Sequence, residues 1–367
     1  MSAASLLTLV DRVGPVLLFL VAITVVAEIS DTAGVFDVAG HWCARVARQR
    51  TWLLWLLVVA LASVATIVLS LDTTAVLLTP VVITVARQVR ARPLPFVMTT
   101  LWLANTASLL LPVSNLTNLL SLHRFHALGA GYSAYLSLMG WPALAAIVGT
   151  LLVLLAWHGR SLTGRYPTAA RPDPHDRVLL GIAGATCAVL GPVFVTGVTP
   201  AIPASVAAVL LLLACAVRSP QALRGVRVPW LVVIGVAALF LVVDVATRHG
   251  LAQVVTKLAG TGSRLPDLLR LAGVAAVSSN VVNNLPAYLA IEPAADSERI
   301  RLAALLIGTN CGPLVTVWGS LATILWRERC RSAGVHVSAG RLAVQGLTCA
   351  VVTIGLAVLA LVWLGPA

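Results

Sequence analysis

Long apolar stretches alternate along this chain with short basic loops. Most of these stretches approach or exceed the roughly 20 residues that a helix needs to cross about 30 Å of hydrocarbon. They predict membrane-spanning helices at 15–28, 95–121, 132–157, 178–197, 201–217, 229–247, 299–327 and 341–364. Two further apolar segments, 51–88 and 265–292, are interrupted by polar residues near their middle. The pattern therefore predicts an all-α polytopic membrane protein with about eight spans and two re-entrant helical hairpins.

The composition of the chain requires a lipid environment. Hydrophobic residues make up 59% of its 367 positions and charged residues only 10%, and the mean hydropathy is +0.97. A water-soluble globule of this size could not hide so much apolar surface from solvent. The first apolar stretch begins close to the N-terminus, but further spans follow it, so we do not interpret it as a cleaved signal peptide. The sequence predicts a multi-pass protein of the inner or plasma membrane.

Basic residues are spread unevenly over the loops, and the net charge is +12. If both hairpins enter and leave the membrane on one side, about two thirds of the 25 basic residues fall on one face, here named the arginine-rich face. The positive-inside rule places the arginine-rich face in the cytoplasm and both termini outside. Because these arginines occupy many short loops rather than one folded patch, a nucleic-acid partner is not predicted.

Several classes of chemistry have no support in the sequence. The six cysteines show no CxxC spacing and no partnering histidines, which argues against structural disulfides and a zinc site. There is no glycine-rich phosphate loop and no constellation of catalytic side chains. The chain is therefore predicted to be neither an enzyme nor an ATP-driven motor, and to carry no metal or other cofactor.

An internal repeat divides the chain. The polar run 158–177 is the one long hydrophilic linker, and it separates residues 1–157 from residues 178–367. Each half places an acid six residues before a glycine, Glu28 in the first and Asp244 in the second. The predicted domains are thus a first repeat (1–157), a cytoplasmic linker and a second repeat (178–367).

The two repeats also match in their interrupted segments. The polar centre of the first hairpin is Leu71–Thr74, and that of the second is Val282–Leu285. An odd number of crossings between equivalent points predicts two inverted-topology repeats, each with a re-entrant hairpin and a broken helix, as in secondary transporters. Broken helices survive in a bilayer only where they line a protein-walled, wet cavity, so the breaks mark the expected solute site. The spans 178–197 and 201–217 have no counterpart before residue 15, so the first repeat is predicted to be N-terminally shortened.

Asp72 is the sharpest candidate for ion coupling. An acid near the centre of a hydrophobic hairpin costs several kcal/mol unless it is hydrated, paired or protonated. A carboxyl group under that constraint suits a proton carrier. The alternative is a capping aspartate that starts a helix at Thr73. Glu28 and Asp244 are secondary candidates, either as coupling groups or as interfacial anchors and caps.

Amide and hydroxyl side chains accompany the breaks and define the predicted substrate site. The candidates are Asn105, Ser108, Ser114, Asn115, Asn118, Asn283, Asn284, Asn310 and Ser320. Neutral hydrogen-bonding groups without a fixed cation suit a neutral polyhydroxyl solute or a sodium ion. The alternative is that these residues join helices, as Ser, Thr and Asn often do in bilayers. Cys311 could meet a thiophilic solute or act as a small apolar filler.

Several motifs together resemble the arsenite and antimonite efflux permeases of the ArsB family, which belongs to the ion transporter superfamily. The resemblance runs from about residue 13 to the C-terminus. It is carried by Leu71–Pro80, Ala104–Ser108, Ser114–Asn118, Asn283–Pro286 and Gly319–Trp326, of which the last is the most discriminating. Members of that family usually carry aspartate where Asn105 and Asn310 stand.

The resemblance implies export of arsenite or antimonite, driven by the proton gradient. Arsenite at neutral pH is an uncharged trihydroxyl species, which agrees with a site rich in amides. Some members work with a separate ATPase subunit, and a homodimer is left open. The alternative is a sodium-coupled carboxylate or other anion carrier of the same superfamily. A third alternative, a membrane anchor for a partner, gives no role to polar residues at matched positions in both halves.

Overall fold

The computed structural model describes residues 3–166, 176–196, 198–221, 252–295 and 298–365, with single positions between 223 and 245. Its regular elements are helices: α1 (Ala3–Thr32), α2 (Val35–Val46), α3 (Thr51–Val68), α4 (Leu71–Thr73), α5 (Thr79–Gln88), α6 (Pro93–Thr106), α7 (Leu116–Ala127), α8 (Tyr132–His158), α9 (Arg177–Val195), α10 (Ala201–Arg218), α11 (Ala252–Ala259), α12 (Leu265–Val282), α13 (Asn284–Ala295), α14 (Arg299–Cys311), α15 (Leu321–Ser332) and α16 (Ala339–Leu364).

Seven of the described helices are long and apolar enough to cross a membrane. They are Gly14–Thr32, Thr51–Val68, Tyr132–Leu162, Arg177–Val195, Ala201–Arg218, Leu265–Val282 and Ala339–Leu364. The prediction of an all-helical, multi-pass membrane protein is confirmed. Most of the predicted span 229–247 lies outside the described residues.

Both interrupted segments fold as helical hairpins, which we name the first and second hairpins. In the first hairpin, α3 runs to a tip at Ser70 and the chain returns through α4, a π-helical turn at Thr74–Leu78, and α5. Ser70 has a φ of 138°, and its hydroxyl accepts a hydrogen bond from the Thr73 backbone N–H at 3.3 Å. Ser70 therefore caps this helix, and the interpretation of Asp72 as its cap is wrong. The second hairpin turns from α12 into α13 at Asn283, where φ is 86°.

The predicted spans 95–121 and 299–327 are each two helices separated by an irregular break. The first break, residues 107–115, separates α6 from α7, and the second, residues 312–320, separates α14 from α15. In both breaks a side chain caps the helix that follows. The side-chain Oδ1 of Asn115 accepts from the Thr117 N–H at 3.3 Å, and the Ser320 hydroxyl accepts from the Thr323 N–H at 3.2 Å. These caps satisfy backbone donors that hydrocarbon could not.

The two halves interlock at the hairpins. The returning arm of the first hairpin packs against α15 of the second half, and α13 of the second hairpin packs against α7 of the first half. The long helices α8 and α16 pack against each other, and α9 and α10 pack against α1. The order of hairpin, broken helix and long helix thus occurs twice along the chain. The opposite orientation of the two halves, and the domain boundaries at 157 and 178, stay predictions.

An exposed ion pair joins the start of α9 to the end of α10. Arg218 donates to both carboxylate oxygens of Asp176, at 2.9 and 3.2 Å. Asp176 also caps α9 by accepting from the Val178 and Leu179 N–H groups. The hydrogen bond from Arg218 comes first among the causes that lower the pKa of Asp176 to about 2. The carboxylate therefore stays ionised through the physiological pH range.

Candidate functional site

A cavity of about 290 Å³ lies between the tips of the two hairpins, and we name it the tip cavity. Its polar lining is Asp72 from the first hairpin, Asn115 from the first break, and Asn283 and Asn284 from the second hairpin. The apolar part of its wall includes Leu321 at the start of α15. Polar residues from both halves of the chain therefore meet at one opening.

A second cavity of about 200 Å³, the α1 cavity, follows α1 towards the end of that helix. It is lined by Phe19 and Glu28 of α1, by Ser70 and Asp72 of the first hairpin, and by Asn115. Asp72 and Asn115 thus face both cavities. Glu28 and Asp72, which are 44 positions apart in sequence, border the same space.

Asp72 sits in the first turn of α4, directly after the Ser70 cap. Its Oδ1 atom is buried and has no hydrogen-bond partner among the described residues. A buried carboxylate oxygen without a partner is costly unless it is protonated or bound to a visiting ligand. This position is therefore chemically suited to gaining and losing a proton or to contacting a solute.

Asn310 is the centre of a buried network that joins the halves. Its Oδ1 accepts from the Ser108 hydroxyl at 2.7 Å and from the Asn115 amide at 2.5 Å. Its own amide donates to Asn118 Oδ1 at 2.9 Å and to the Leu306 carbonyl at 2.8 Å. Asn310, Ser108 and Asn118 are fully buried and line neither cavity at the tips. Only Asn115 belongs to both the network and the tip cavity.

Other predicted residues of the first half stabilise its irregular backbone. The Asn118 amide donates to the Ser108 carbonyl at 2.7 Å, across the first break. The Ser114 hydroxyl donates to the Ile67 carbonyl at 2.9 Å, which ties this break to the first hairpin. The amide of Asn105 donates to the Leu101 carbonyl, but Asn105 Oδ1 is buried and has no hydrogen-bond partner in the described part of the chain.

In the second half, asparagines tie the hairpin to the break. The Asn283 amide donates to the Trp318 carbonyl at 3.0 Å, and the Asn284 N–H donates to the Gly319 carbonyl at 2.9 Å. Asn280, which is not among the predicted site residues, accepts from the Thr316 N–H and donates to the Gly312 carbonyl. Ser320 is fully buried and acts as a cap.

The secondary candidates have different surroundings. Glu28 is half-buried inside α1 and lines the α1 cavity, whereas Asp244 lies outside the described residues. Cys311 is the last residue of α14, is fully buried, and lines neither cavity at the tips.

Sequence reasoning also missed a buried acid in the second hairpin. Glu292 of α13 is 2% exposed, and its Oε1 accepts from the Tyr288 hydroxyl at 2.9 Å. The Arg124 Nε, at the end of α7, lies 3.4 Å from the same oxygen. The pair therefore joins the second hairpin to the first half. An acid four residues after a tyrosine, within a predicted hairpin arm, was the available indication.

We expect Arg124→Gln to destabilise the protein by about 2 kcal/mol, since it removes the guanidinium group that lies against the buried Glu292 carboxyl. Glu292→Gln should lower the free energy of unfolding less than Arg124→Gln, because the side-chain oxygen of glutamine can still accept from the Tyr288 hydroxyl. Thermal unfolding of the purified protein in detergent measures both effects. Equal unfolding temperatures for the wild type and Arg124→Gln would show that the pair contributes nothing.

The chain is similar to known membrane transporters over most of its length. The sequence model described as citrate transporter matches residues 3–299. The arsenical pump membrane protein of Escherichia coli (strain K12) is 30% identical, over 93% of this chain and 85% of the relative. That of Yersinia enterocolitica has the same identity and coverage. An uncharacterized transporter of Mycobacterium tuberculosis is 24% identical over 95% of this chain and 85% of that relative.

A solved structure shares the fold. The crystal structure of the Alcanivorax borkumensis YdaH transporter, described as having an unusual topology, matches with a TM-score of 0.64. The match covers 100% of this chain and 90% of that one, at 16% sequence identity. The matching sequence model and the relatives show that the protein is a transporter rather than an enzyme. The chain belongs to the citrate transporter family and to the family of the arsenical pump membrane proteins.

Proposed function

We propose that this chain exports arsenite or antimonite across the plasma membrane in exchange for protons. The tip cavity is the proposed binding site, and Asp72 is the proposed proton carrier. The names of the 30% identical relatives support the solute. A separate ATPase subunit and a homodimer stay predictions.

The chemistry of the tip cavity is the observation that carries this proposal. Asp72 is the one acid among its described lining residues, Asn115, Asn283 and Asn284 supply amides, and no Arg, Lys or His is among them. Amides donate and accept hydrogen bonds, as the hydroxyl groups of uncharged arsenite require. A neutral solute also needs no fixed cation to offset its charge. The cavity therefore fits a small neutral trihydroxide.

Proton exchange requires a carboxyl group that can change charge at low cost to the fold. Asp72 has a buried oxygen that no described side chain holds in an ion pair. A proton taken up by Asp72 from the outer side and released to the inner side would leave the residue as it began. In the same cycle the solute leaves from the tip cavity, which Asp72 lines. Proton uptake and solute export therefore use the same site.

Glu28 extends the proposed proton route along α1. It borders the α1 cavity together with Asp72, and Asp31 is the next acid, three positions further along α1. Residues three apart lie on neighbouring faces of a helix, and Asp31 is exposed. Protons could therefore pass between the end of α1 and Asp72 through the water that this cavity can hold.

A sodium-coupled carboxylate carrier is the second candidate, and the name of the matching sequence model favours it. The first turns of α7, α13 and α15 also contain backbone N–H groups that the caps do not use, and such groups suit oxygen-rich anions. A carboxylate solute would, however, meet the Asp72 carboxyl in a cavity whose described lining holds no cation. Two negative charges inside one cavity repel each other, so the carboxylate solute would bind poorly unless a bound cation lay between it and Asp72.

Arsenite transport into everted membrane vesicles tests both candidates. The vesicles come from a host without its own arsenite exporter and carry an imposed pH gradient. We expect the wild-type chain to accumulate arsenite as the gradient is applied, and Asp72→Asn to fall to the background of empty vesicles, because an amide cannot carry the proton. Glu328→Gln, which removes an exposed acid of α15, is the matched control and should transport like the wild type.

Two results would contradict the proposal. Citrate uptake that depends on sodium, with no arsenite transport, would favour the carboxylate carrier. Full gradient-driven arsenite transport by Asp72→Asn would remove Asp72 from the coupling step.

A further inference from the structure

A basic cavity opens where α15 ends and α16 begins, away from the tips. Its volume is about 320 Å³, and it lies between the last turns of α15 and the loop that leads into α16. Arg327, Arg331, His336 and Ser338 form its polar lining, and the described lining includes no acid. Trp326 also lines the cavity and is held in place by donating from its indole to the Val97 carbonyl at 2.8 Å. We name it the basic cavity.

We expect the basic cavity to lie at the depth of the lipid headgroups. α16 is apolar enough to cross the membrane, and its first turn carries Arg341, so this end of the helix is expected at the membrane surface. Ser338 directly precedes this end of the helix and lines the basic cavity. Basic pockets between membrane helices at this level are known to bind phosphate headgroups.

The groups around the basic cavity suit a phosphate. Arg327 and Arg331 lie one turn apart on α15, so both guanidinium groups can reach one anion. Planar guanidinium groups match the geometry of phosphate oxygens. The N-terminus of α16 adds the positive end of a 26-residue helix, with the Ser338 hydroxyl accepting from the Arg341 N–H at 3.3 Å. Neither arginine has an acidic partner among the described residues.

The surface beside the basic cavity favours a lipid over a free ion. The first half of α16 exposes large apolar side chains, with Val344 58%, Leu347 55% and Val351 64% exposed. Acyl chains can cover such a surface when the headgroup is bound at the start of the helix. The alternative is that these arginines only set the orientation of the protein in the membrane. The positive-inside effect depends on the number of basic residues in the loops and does not require that they line a cavity.

We propose that the basic cavity binds the phosphate group of an anionic membrane lipid, held between Arg327 and Arg331. The acyl chains lie along the first half of α16. The site is distinct from the tip cavity and does not depend on which solute the protein carries.

Lipid binding to the purified full-length protein tests this site. The protein in detergent is titrated with phosphatidylglycerol and, in separate arms, with phosphatidylcholine and inorganic phosphate, and bound ligand is measured by native mass spectrometry. The double variant Arg327→Gln/Arg331→Gln should bind phosphatidylglycerol roughly 25-fold more weakly than the wild type, since we expect about a fivefold loss for each arginine. Binding of phosphatidylcholine should be weak and unchanged.

The matched control removes the same two charges elsewhere. Arg45→Gln/Arg92→Gln changes two exposed arginines outside the basic cavity and should keep the wild-type affinity for phosphatidylglycerol. Thermal unfolding without lipid verifies that both double variants are folded. Equal loss of binding in the two double variants, or equal affinity of the wild type for both lipids, would overturn the proposal. Binding of inorganic phosphate without any binding of phosphatidylglycerol would overturn the assignment to a lipid.

Discussion

Asn310→Leu is expected to destabilise the protein by about 3 to 5 kcal/mol, because it removes a buried polar group from the centre of a network. Leucine has a similar volume but cannot accept from the Asn115 amide or donate to Asn118 Oδ1. Each buried group left without a partner costs about 1 to 3 kcal/mol. Ser108 loses less, since its hydroxyl also donates to the Asn105 carbonyl at 2.6 Å.

Thr309→Val is the matched control on the same helix. Thr309 is as deeply buried as Asn310, but within the described residues its hydroxyl donates only to the Leu305 and Leu306 carbonyls of its own helix. Valine keeps the shape, so we expect a change of less than about 1 kcal/mol. Thermal unfolding in detergent compares the two variants with the wild type. If Asn310→Leu unfolds at the same temperature as Thr309→Val, the network does not hold the halves together.

Asn310→Leu should also impair transport in the molecules that remain folded. Asn115 is the residue that joins the network to the tip cavity, and Asn310 holds its amide. Without this acceptor, the Asn115 side chain keeps only its cap on the Thr117 N–H, so we expect its amide to move and the shape of the tip cavity to change. Arsenite transport normalised to the amount of folded protein in the vesicles separates this effect from lower expression.

The positions of the hairpins and breaks could be predicted from the sequence because they are local features. The predicted hairpin 51–88 contains α3 to α5, and the helices break after Thr106 and Cys311, close to Asn105 and Asn310. Polar residues inside an apolar stretch are rare enough in lipid that their location alone indicates an interruption. The polar residues that indicate each break lie within about ten residues of it.

The partners of these polar residues could not be predicted, since they come from distant parts of the chain. Asn310 contacts Ser108 and Asn118, which are 202 and 192 positions away. From the sequence alone, the amides at the breaks form one class, either solute ligands or links between helices. In the structure, Asn118 and Asn310 link helices, whereas Asn115, Asn283 and Asn284 also face the tip cavity.

Buried charge was the least predictable feature. Arg301 stands near the start of the predicted span 299–327, and it is fully buried at the start of α14, where it donates to the carbonyls of Gly260, Gly262 and Ala294. A basic residue near a predicted span end is usually solvated, so the pattern along the chain gives no reason to expect three carbonyl partners. Only the folded arrangement of the preceding loop around α14 explains its burial.

Gly346→Ala is expected to destabilise the protein by several kcal/mol, although alanine is the better helix former. Gly346 lies in α16 where this helix crosses the second break. A methyl group there would overlap the Leu314 carbonyl oxygen and lie 2.7 Å from its carbon. Backbone atoms cannot rotate away as a side chain can, so α16 or the second break must shift.

Gly355→Ala on the same helix is the control, because a methyl group at that position meets nothing within 4 Å. Replacing a glycine in an open helical position should stabilise the protein slightly, by about 0.5 to 1 kcal/mol. The two variants are therefore expected to change the unfolding temperature in opposite directions. A shift of the second break would also disturb the Trp318 carbonyl that holds Asn283, so Gly346→Ala should lose transport while Gly355→Ala keeps it. Equal unfolding temperatures for the two variants would show that α16 does not approach the second break this closely.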